Sequence, residues 1–384
     1  MREGCLGNCL VCGKCGRFSI LETFGGGAAG LEPRAGCGVA VDIGTTSVVI
    51  ALVCLETGKT LGRHSFLNPQ REYGPDVISR IAAANGGALP ALRDSVRAAV
   101  GQGIRTLMDS QHISQIEDTV IACNTVMAHL LLGLPCESLG VYPFKPSYGL
   151  KEAYDLGELF ADLRGAARIV PWLSGFVGGD VTAGLLHVLP RGDKRFMLMD
   201  LGTNGELALY DGGRLTVTST AAGPAFEGSG RPGGASKVLD DLAALVRSGQ
   251  VDETGLLRGA AAFTQKKIRD LQLAKSAVRT GFEILKPPEG LCAVYLAGGI
   301  GQAMNPDSAA EVGLLPQAAI PIVRAAGNAS LGGAVRLLLS PEKAYSDLEG
   351  LLKNCTEINL AEHPRFQDLF MEYMFFDGRQ NVRL

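Results

Sequence analysis

Val41-Asp42-Ile43-Gly44-Thr45-Thr46 and Met199-Asp200-Leu201-Gly202-Thr203-Asn204 are two copies of one pattern. In each, an apolar run ends on an aspartate, a glycine follows two residues later, and hydroxyl or amide side chains come next. Outward from the first copy, residues 39–43 and 47–55 are β-branched and aliphatic, and Thr57-Gly58-Lys59 turns the chain into a third run at 60–67. Alternating apolar runs separated by Gly-containing turns predict a three-stranded meander. Helical spacing follows at 76–84 and 90–109, then a strand at 119–123 and a helix from about Thr125. The second copy repeats this order. Runs at 196–201, 206–210 and 214–220 predict a meander, 237–248 and 264–285 predict helices, and 292–296 predicts a strand. An internal repeat of this size predicts two similar α/β domains facing across a cleft.

The two turns suggest what the cleft holds. Gly44 and Gly202 lack a Cβ, so the backbone N–H groups of each turn can approach a phosphate oxygen. Thr45, Thr46, Thr203 and Asn204 add side-chain donors. Asp42 and Asp200 would face the phosphates from opposite sides and hold a hydrated Mg2+, an ion that keeps several of its waters. A lone Asp-x-Gly-Thr describes many hairpins; two copies, each between strands, specify phosphate binding. Gly298 and Gly299, directly after the last strong strand, would let a nucleoside lie on the backbone. The loop 221–228, with Gly223, Pro224 and Glu227, reads as nucleotide lining, Glu227 accepting ribose hydroxyls, or else as a rigid turn. Gly175–Asp180 opens a helix of small residues and 327–334 opens another; such helices can cross closely and slide, as an interdomain hinge would. Asp180 either caps its helix or orients the attacking water, a role for which Glu206 is a rival.

Composition narrows the class. Of 384 residues, 46% are apolar and 20% charged, which suits two packed domains rather than disorder. The formal net charge of −3 leaves no basic stripe for nucleic acid. No secretion signal or stretch of bilayer length is read, so a cytoplasmic protein is expected. The five histidines show no ligand spacing.

Ten cysteines in so long a chain are not a disulfide scaffold. Cys5, Cys9, Cys12 and Cys15 stand within eleven residues, a tight run that suits iron–sulfur ligation. A structural zinc site would separate two cysteine pairs by a longer loop, and a labile thiol cluster is the remaining reading. Cys15 closes the ligand set, or Cys37 supplies a remote fourth ligand. With the glycines at 25–30 as linker, the chain divides into a Cys-rich segment at 1–36, a first actin-like subdomain at 37–190 and a second at 191–384.

Several stretches resemble one family: 68–81 (Asn-Pro-Gln-Arg-Glu-Tyr-Gly-Pro-Asp-Val-Ile-Ser-Arg-Ile), 175–180, 200–206, 221–228, 296–301 and the tail around His363. They are similar to the ATPase domain of the reductive activators of corrinoid proteins, over about residues 38–384. The resemblance implies the acetate and sugar kinase/Hsc70/actin fold, ATP hydrolysis with Mg2+, and a homodimer. It also implies transfer of an electron from an iron–sulfur cluster to a corrinoid or other low-potential metalloprotein, with a ferredoxin or flavodoxin as reductant. Those relatives carry a ferredoxin-like domain with a plant-type [2Fe–2S] pattern and a middle domain; here about 36 residues stand in place of both, and their spacing suits [4Fe–4S] better. Activators of 2-hydroxyacyl-CoA dehydratases carry such a cluster on the same fold. The alternatives are a small-molecule kinase of this fold, for which no substrate base is evident, and a nucleotide-gated redox sensor.

Overall fold

The computed structural model describes residues 31–146, 149–202, 204–226, 234–259, 263–301 and 304–376. They pack as two compact units, one made of 31–191 with Asn328–Lys353, the other of Gly192–Gly327 with 354–376.

In the first unit, β1 (Cys37–Ile43), β2 (Ser47–Cys54) and β3 (Thr60–Leu67) form the expected antiparallel meander. β4 (Asp118–Cys123) runs parallel to β1, and β6 (Ala166–Ile169) parallel to β4; β5 (Tyr154–Asp155) closes the edge, giving the order β3-β2-β1-β4-β6-β5. All six residues of β4 are buried, as a central parallel strand covered on both faces requires. One face of the sheet carries the helix Leu89–Ser110, whose Leu92, Val96, Val100, Ile104 and Leu107 make a continuous buried stripe and which packs on β2 and β3.

The other cover comes from far along the chain. Every residue of the helix Ala329–Leu339 is buried. A helix apolar all round needs partners on all sides, and this one packs on β1, β4 and the helix Gly179–Val188. The crossing is close: a Cβ on Gly333 would lie 1.8 Å from the Ala183 carbonyl oxygen, and one on Gly332 would meet the His187 ring. The sequence reading placed all of 191–384 in the second subdomain; instead Asn328–Lys353 completes the first unit. The two small-residue helices therefore cross inside one unit, not as the hinge between domains that their composition suggested.

The second unit repeats the plan. β7 (Arg195–Leu201), β8 (Gly205–Asp211) and β9 (Arg214–Thr220) form a meander. β10 (Ala293–Ala297) lies parallel to β7 and β11 (Val323–Gly327) parallel to β10, with β12 (Cys355–Glu357) beyond β9. The order β11-β10-β7-β8-β9-β12 thus contains the same five-strand core as the first sheet. Asp42 pairs with Ala122 on β4, and Asp200 with Ala297 on β10, so both aspartates stand at equivalent strand ends. No helix among the described residues is long and apolar enough to cross a membrane.

Candidate functional site

In the first unit the candidate phosphate site is built on the β1–β2 turn. Gly44 N–H closes the turn onto the Ser47 carbonyl at 3.0 Å. The three carbonyls of Gly44, Thr45 and Thr46 are all tied down. Asn68 takes two of them, its side-chain amide donating to Gly44 O at 2.9 Å and its backbone N–H to Thr46 O at 3.0 Å. The Arg80 guanidinium donates to Thr45 O at 2.6 Å. Among the described residues the N–H groups of Thr45 and Thr46 donate to nothing. A turn whose carbonyls are held on one side and whose amides are left available is a ready anion cradle. Asn124 Nδ2 donates to the Thr45 hydroxyl oxygen at 3.2 Å while Asn124 Oδ1 caps the next helix through Met127 N–H.

Asp42 follows from the same geometry. Its two oxygens accept from Asn328 Nδ2 and Ser330 Oγ, each at 2.8 Å. Burial raises its carboxyl above the usual range, while these two donors pull it back. The sequence places Asn328 and Ser330 at the opening of a small-residue helix; neither the Asn328 N-cap nor the partnership with Asp42 is legible there. Cys123, at the end of β4, has its thiol held well up by burial and by the charges of Asp180 and Asp42.

Asp180 lies in the first turn of the helix Gly179–Val188, whose N-cap is Gly178 with no side-chain capping bond. Its Oδ1 accepts from Val181 N–H at 2.9 Å, so it does not act as the N-cap. Its carboxyl is pushed up to about 7: burial raises it most, the Val181 amide lowers it, and the Asp42 charge raises it further. Between pH ~4 and ~7 the folded chain holds a proton that the unfolded chain has released, so this group's contribution to stability falls as pH rises through that window. Asp180→Asn removes the titration. The variant is expected to melt higher than the parent near pH 8, with the difference shrinking steadily to its smallest near pH 4; an offset independent of pH would contradict the buried carboxyl.

In the second unit the corresponding turn sits on β7 and β8, beside β10. Gly202 N–H donates to Asn204 O at 3.0 Å, and a Cβ on Gly202 would point into open space. Asp200 and Glu206 are directly opposite in the β7–β8 register and so share one face of the sheet. Gly298 has φ +75°, and a Cβ there would come 2.3 Å from Asp200 Oδ1. Glycine is therefore required for the chain to leave β10 against Asp200, and Gly298–Gly301 forms the short helical turn that follows. Gly223 has φ +59° with open space above it, at the start of the turn Gly223–Phe226 that includes Pro224. The structure thus groups Asp42, Gly44, Thr45, Thr46 and Asp180 in one unit, and Asp200, Gly202, Asn204, Glu206, Gly223, Gly298 and Gly299 in the other. Thr203, Glu227 and the cysteines Cys5, Cys9, Cys12 and Cys15 lie outside the described residues. Cys37 is half-buried at the start of β1, opposite Cys54 on β2. Among the described residues no three His, Cys, Asp or Glu side chains are grouped to hold a metal ion.

With this geometry in place, comparison with known proteins is specific. The sequence profile of the RACo middle region matches residues 37–189, and that of the C-terminal domain of RACo, the ASKHA domain, matches 194–237 and 243–383. The middle region expected to be missing is therefore present, and the departure at the front is confined to residues before Cys37. The corrinoid activation enzyme RamQ of Eubacterium limosum is 32% identical over 419 aligned residues, covering 88% of this chain and 70% of that protein. A solved reductive activator for corrinoid, iron-sulfur protein superposes with a TM-score of 0.77 at 29% identity, over 88% of this chain and 66% of that one. This chain thus spans about two thirds of the length of these relatives. The fold is the acetate and sugar kinase/Hsc70/actin fold that the family resemblance implied.

Proposed function

Because the chain belongs to the family of reductive activators of corrinoid proteins, we propose that it hydrolyses ATP to drive an electron from an iron–sulfur cluster onto a partner corrinoid protein, reducing Co(II) to Co(I). The observation that carries the nucleotide half is the first turn. Its three carbonyls are bound, its Thr45 and Thr46 amides are available, and the charge of Asp42 reaches a second carboxyl, Asp180, and raises it. Such a pair suits a site that will receive a divalent cation.

In this reading the Thr45 and Thr46 amides, with the hydroxyl of Thr46, grip phosphate oxygens. The glycines at 202, 223, 298 and 299 give the nucleotide close access to backbone. Asp42, at the end of the first unit's phosphate turn, would hold the waters of a bound magnesium ion, which would supply charge neutralisation of the phosphates; Asp200 is its counterpart in the second unit. Asp180, half ionised near neutral pH, takes the proton of the attacking water; Glu206 is the other carboxylate on a turn-flanking strand. Hydrolysis yields ADP and phosphate.

The electron half rests on Cys5, Cys9, Cys12 and Cys15, whose spacing suits a [4Fe–4S] cluster; when bound, the cluster supplies one electron at a time. It would be re-reduced by a ferredoxin or flavodoxin. We place the protein in the cytoplasm as a homodimer. Raising one electron by ~0.25 V costs about 6 kcal/mol, at about 1.4 kcal/mol per ~59 mV, which is within the reach of nucleotide binding and hydrolysis.

The test is anaerobic mixing of reduced protein with a cob(II)alamin-loaded corrinoid protein, followed by the cob(I) absorbance. Reduction that requires Mg-ATP is expected. ATP hydrolysis with no cob(I) formed would overturn the redox reading and leave an ATPase of another kind.

A further inference from the structure

Arg80 sits where an apolar residue belongs. It shares the buried stripe of the helix Val77–Ala83 with Val77 and Ile81. It is 0% exposed, the largest side chain among the described residues to be so buried. The chain aims it there with care. Asp76 and Ser79 form a reciprocal capping box that fixes where the helix begins and so which residue faces inward. Its hydrogen-bond partners are all neutral. Nη2 donates to Thr45 O at 2.6 Å, Nε to Gly74 O at 3.0 Å, and Nη1 meets the Met127 sulfur at 3.4 Å. Among the described residues it forms no ion pair; Asp76 lies near enough to favour its charge, but Arg71 opposes it. Burial pushes the guanidinium down to about 10, still protonated at physiological pH.

A buried cation without a carboxylate is costly, and a core would discard it unless something else gained from the charge. What gains is next to it. Thr45 O and the N–H of Thr46 belong to one peptide group. A charge-assisted bond to that oxygen polarises the peptide and makes its N–H a stronger donor. The guanidinium also fixes the peptide plane, so the N–H points away from the protein interior, on the side left free.

We propose that Arg80 is a positioning residue for nucleotide binding: held behind the first turn, it orients and charges the Thr45–Thr46 peptide so that its amide receives a phosphate oxygen. The stretch 68–80 thereby becomes the back wall of the phosphate site, Asn68 fixing Gly44 and Thr46 and Arg80 fixing Thr45. The proposal rests on the nucleotide reading of this turn and deepens it.

The test compares ligands that do and do not carry phosphate. Arg80→Met keeps much of the volume and removes the charge; Arg80→Lys keeps the charge but cannot hold two carbonyls in one plane. Calorimetric titration of parent and variants with Mg-ATP, Mg-ADP and adenosine is expected to show ~10–100-fold weaker ATP binding in Arg80→Met, a smaller loss in Arg80→Lys, and unchanged adenosine affinity. Weakening of ATP and adenosine alike, or of neither, would assign Arg80 to packing alone and overturn the proposal. Should Arg80→Met fail to fold, Arg80→Lys carries the same comparison. A parent that binds no Mg-ATP would instead remove the nucleotide reading itself.

Discussion

Asp42→Ala and Asp200→Ala are each expected to lower the turnover of ATP hydrolysis by roughly 10–100-fold and to raise the magnesium concentration needed for half-maximal activity. The magnitude follows from the role. A carboxylate that orients the waters of a metal ion contributes less than a direct ligand, and its loss displaces the ion rather than abolishing it. The two variants should differ in one respect. Asp42 accepts from Asn328 and Ser330 at 2.8 Å, so its removal leaves two buried donors unmatched. Asp42→Ala should therefore also melt lower than the parent without nucleotide. Burial works the other way, since it raises the Asp42 carboxyl and makes the charged form costly in the empty protein. Added magnesium should accordingly stabilise the parent more at pH 8 than at pH 5, and the variant equally little at both. Steady-state hydrolysis across a magnesium titration reads the first effect and thermal melts read the second. Turnover within about twofold of the parent in both variants would detach these aspartates from the chemistry.

The doubled Asp-x-Gly turn made the sheets legible because it is a local signal. The run read at 214–220 is β9 itself, and the helix read at 264–285 is displaced by one residue at its start. Residues that act through distant partners were not legible. Asp42 finds Asn328 and Ser330 across 286 and 288 residues of chain, and no pattern of short period encodes that. The return of Asn328–Lys353 to the first unit has the same origin: the small, mostly apolar helix Ala329–Leu339 announces that it is buried, but not against what. β12 has three residues and β11 carries exposed Arg324 and Ala325, too little alternation to be read as strands. Arg80 was hidden for a different reason. Charge on a short amphipathic helix ordinarily marks the solvent side, and only the capping box, once seen in place, turns that residue inward.

Serine at Cys9 or Cys12 is expected to abolish corrinoid reduction while ATP hydrolysis stays within about twofold of the parent, because the two activities reside in separate stretches of sequence. Serine is a poor substitute because iron–sulfur ligation uses the thiolate, and a hydroxyl does not ionise at accessible pH. Iron content, the brown colour and the electron paramagnetic resonance signal of the reduced protein should fall together. The fourth ligand can be decided in the same series. Cys37 stands on β1 with Cys54 opposite it, and burial followed by the neighbouring Cys54 raises its thiol, which works against the thiolate that a cluster needs. Cys15 is accordingly the better candidate, so Cys15→Ser should lose iron and Cys37→Ser should keep it. The reverse result would draw the start of β1 into the cluster and tie the redox centre to the same strand that ends at Asp42, a direct covalent route between nucleotide and electron. Retention of full iron in the Cys9, Cys12 and Cys15 variants alike would remove the cluster from this segment and, with it, the electron-transfer half of the proposed function.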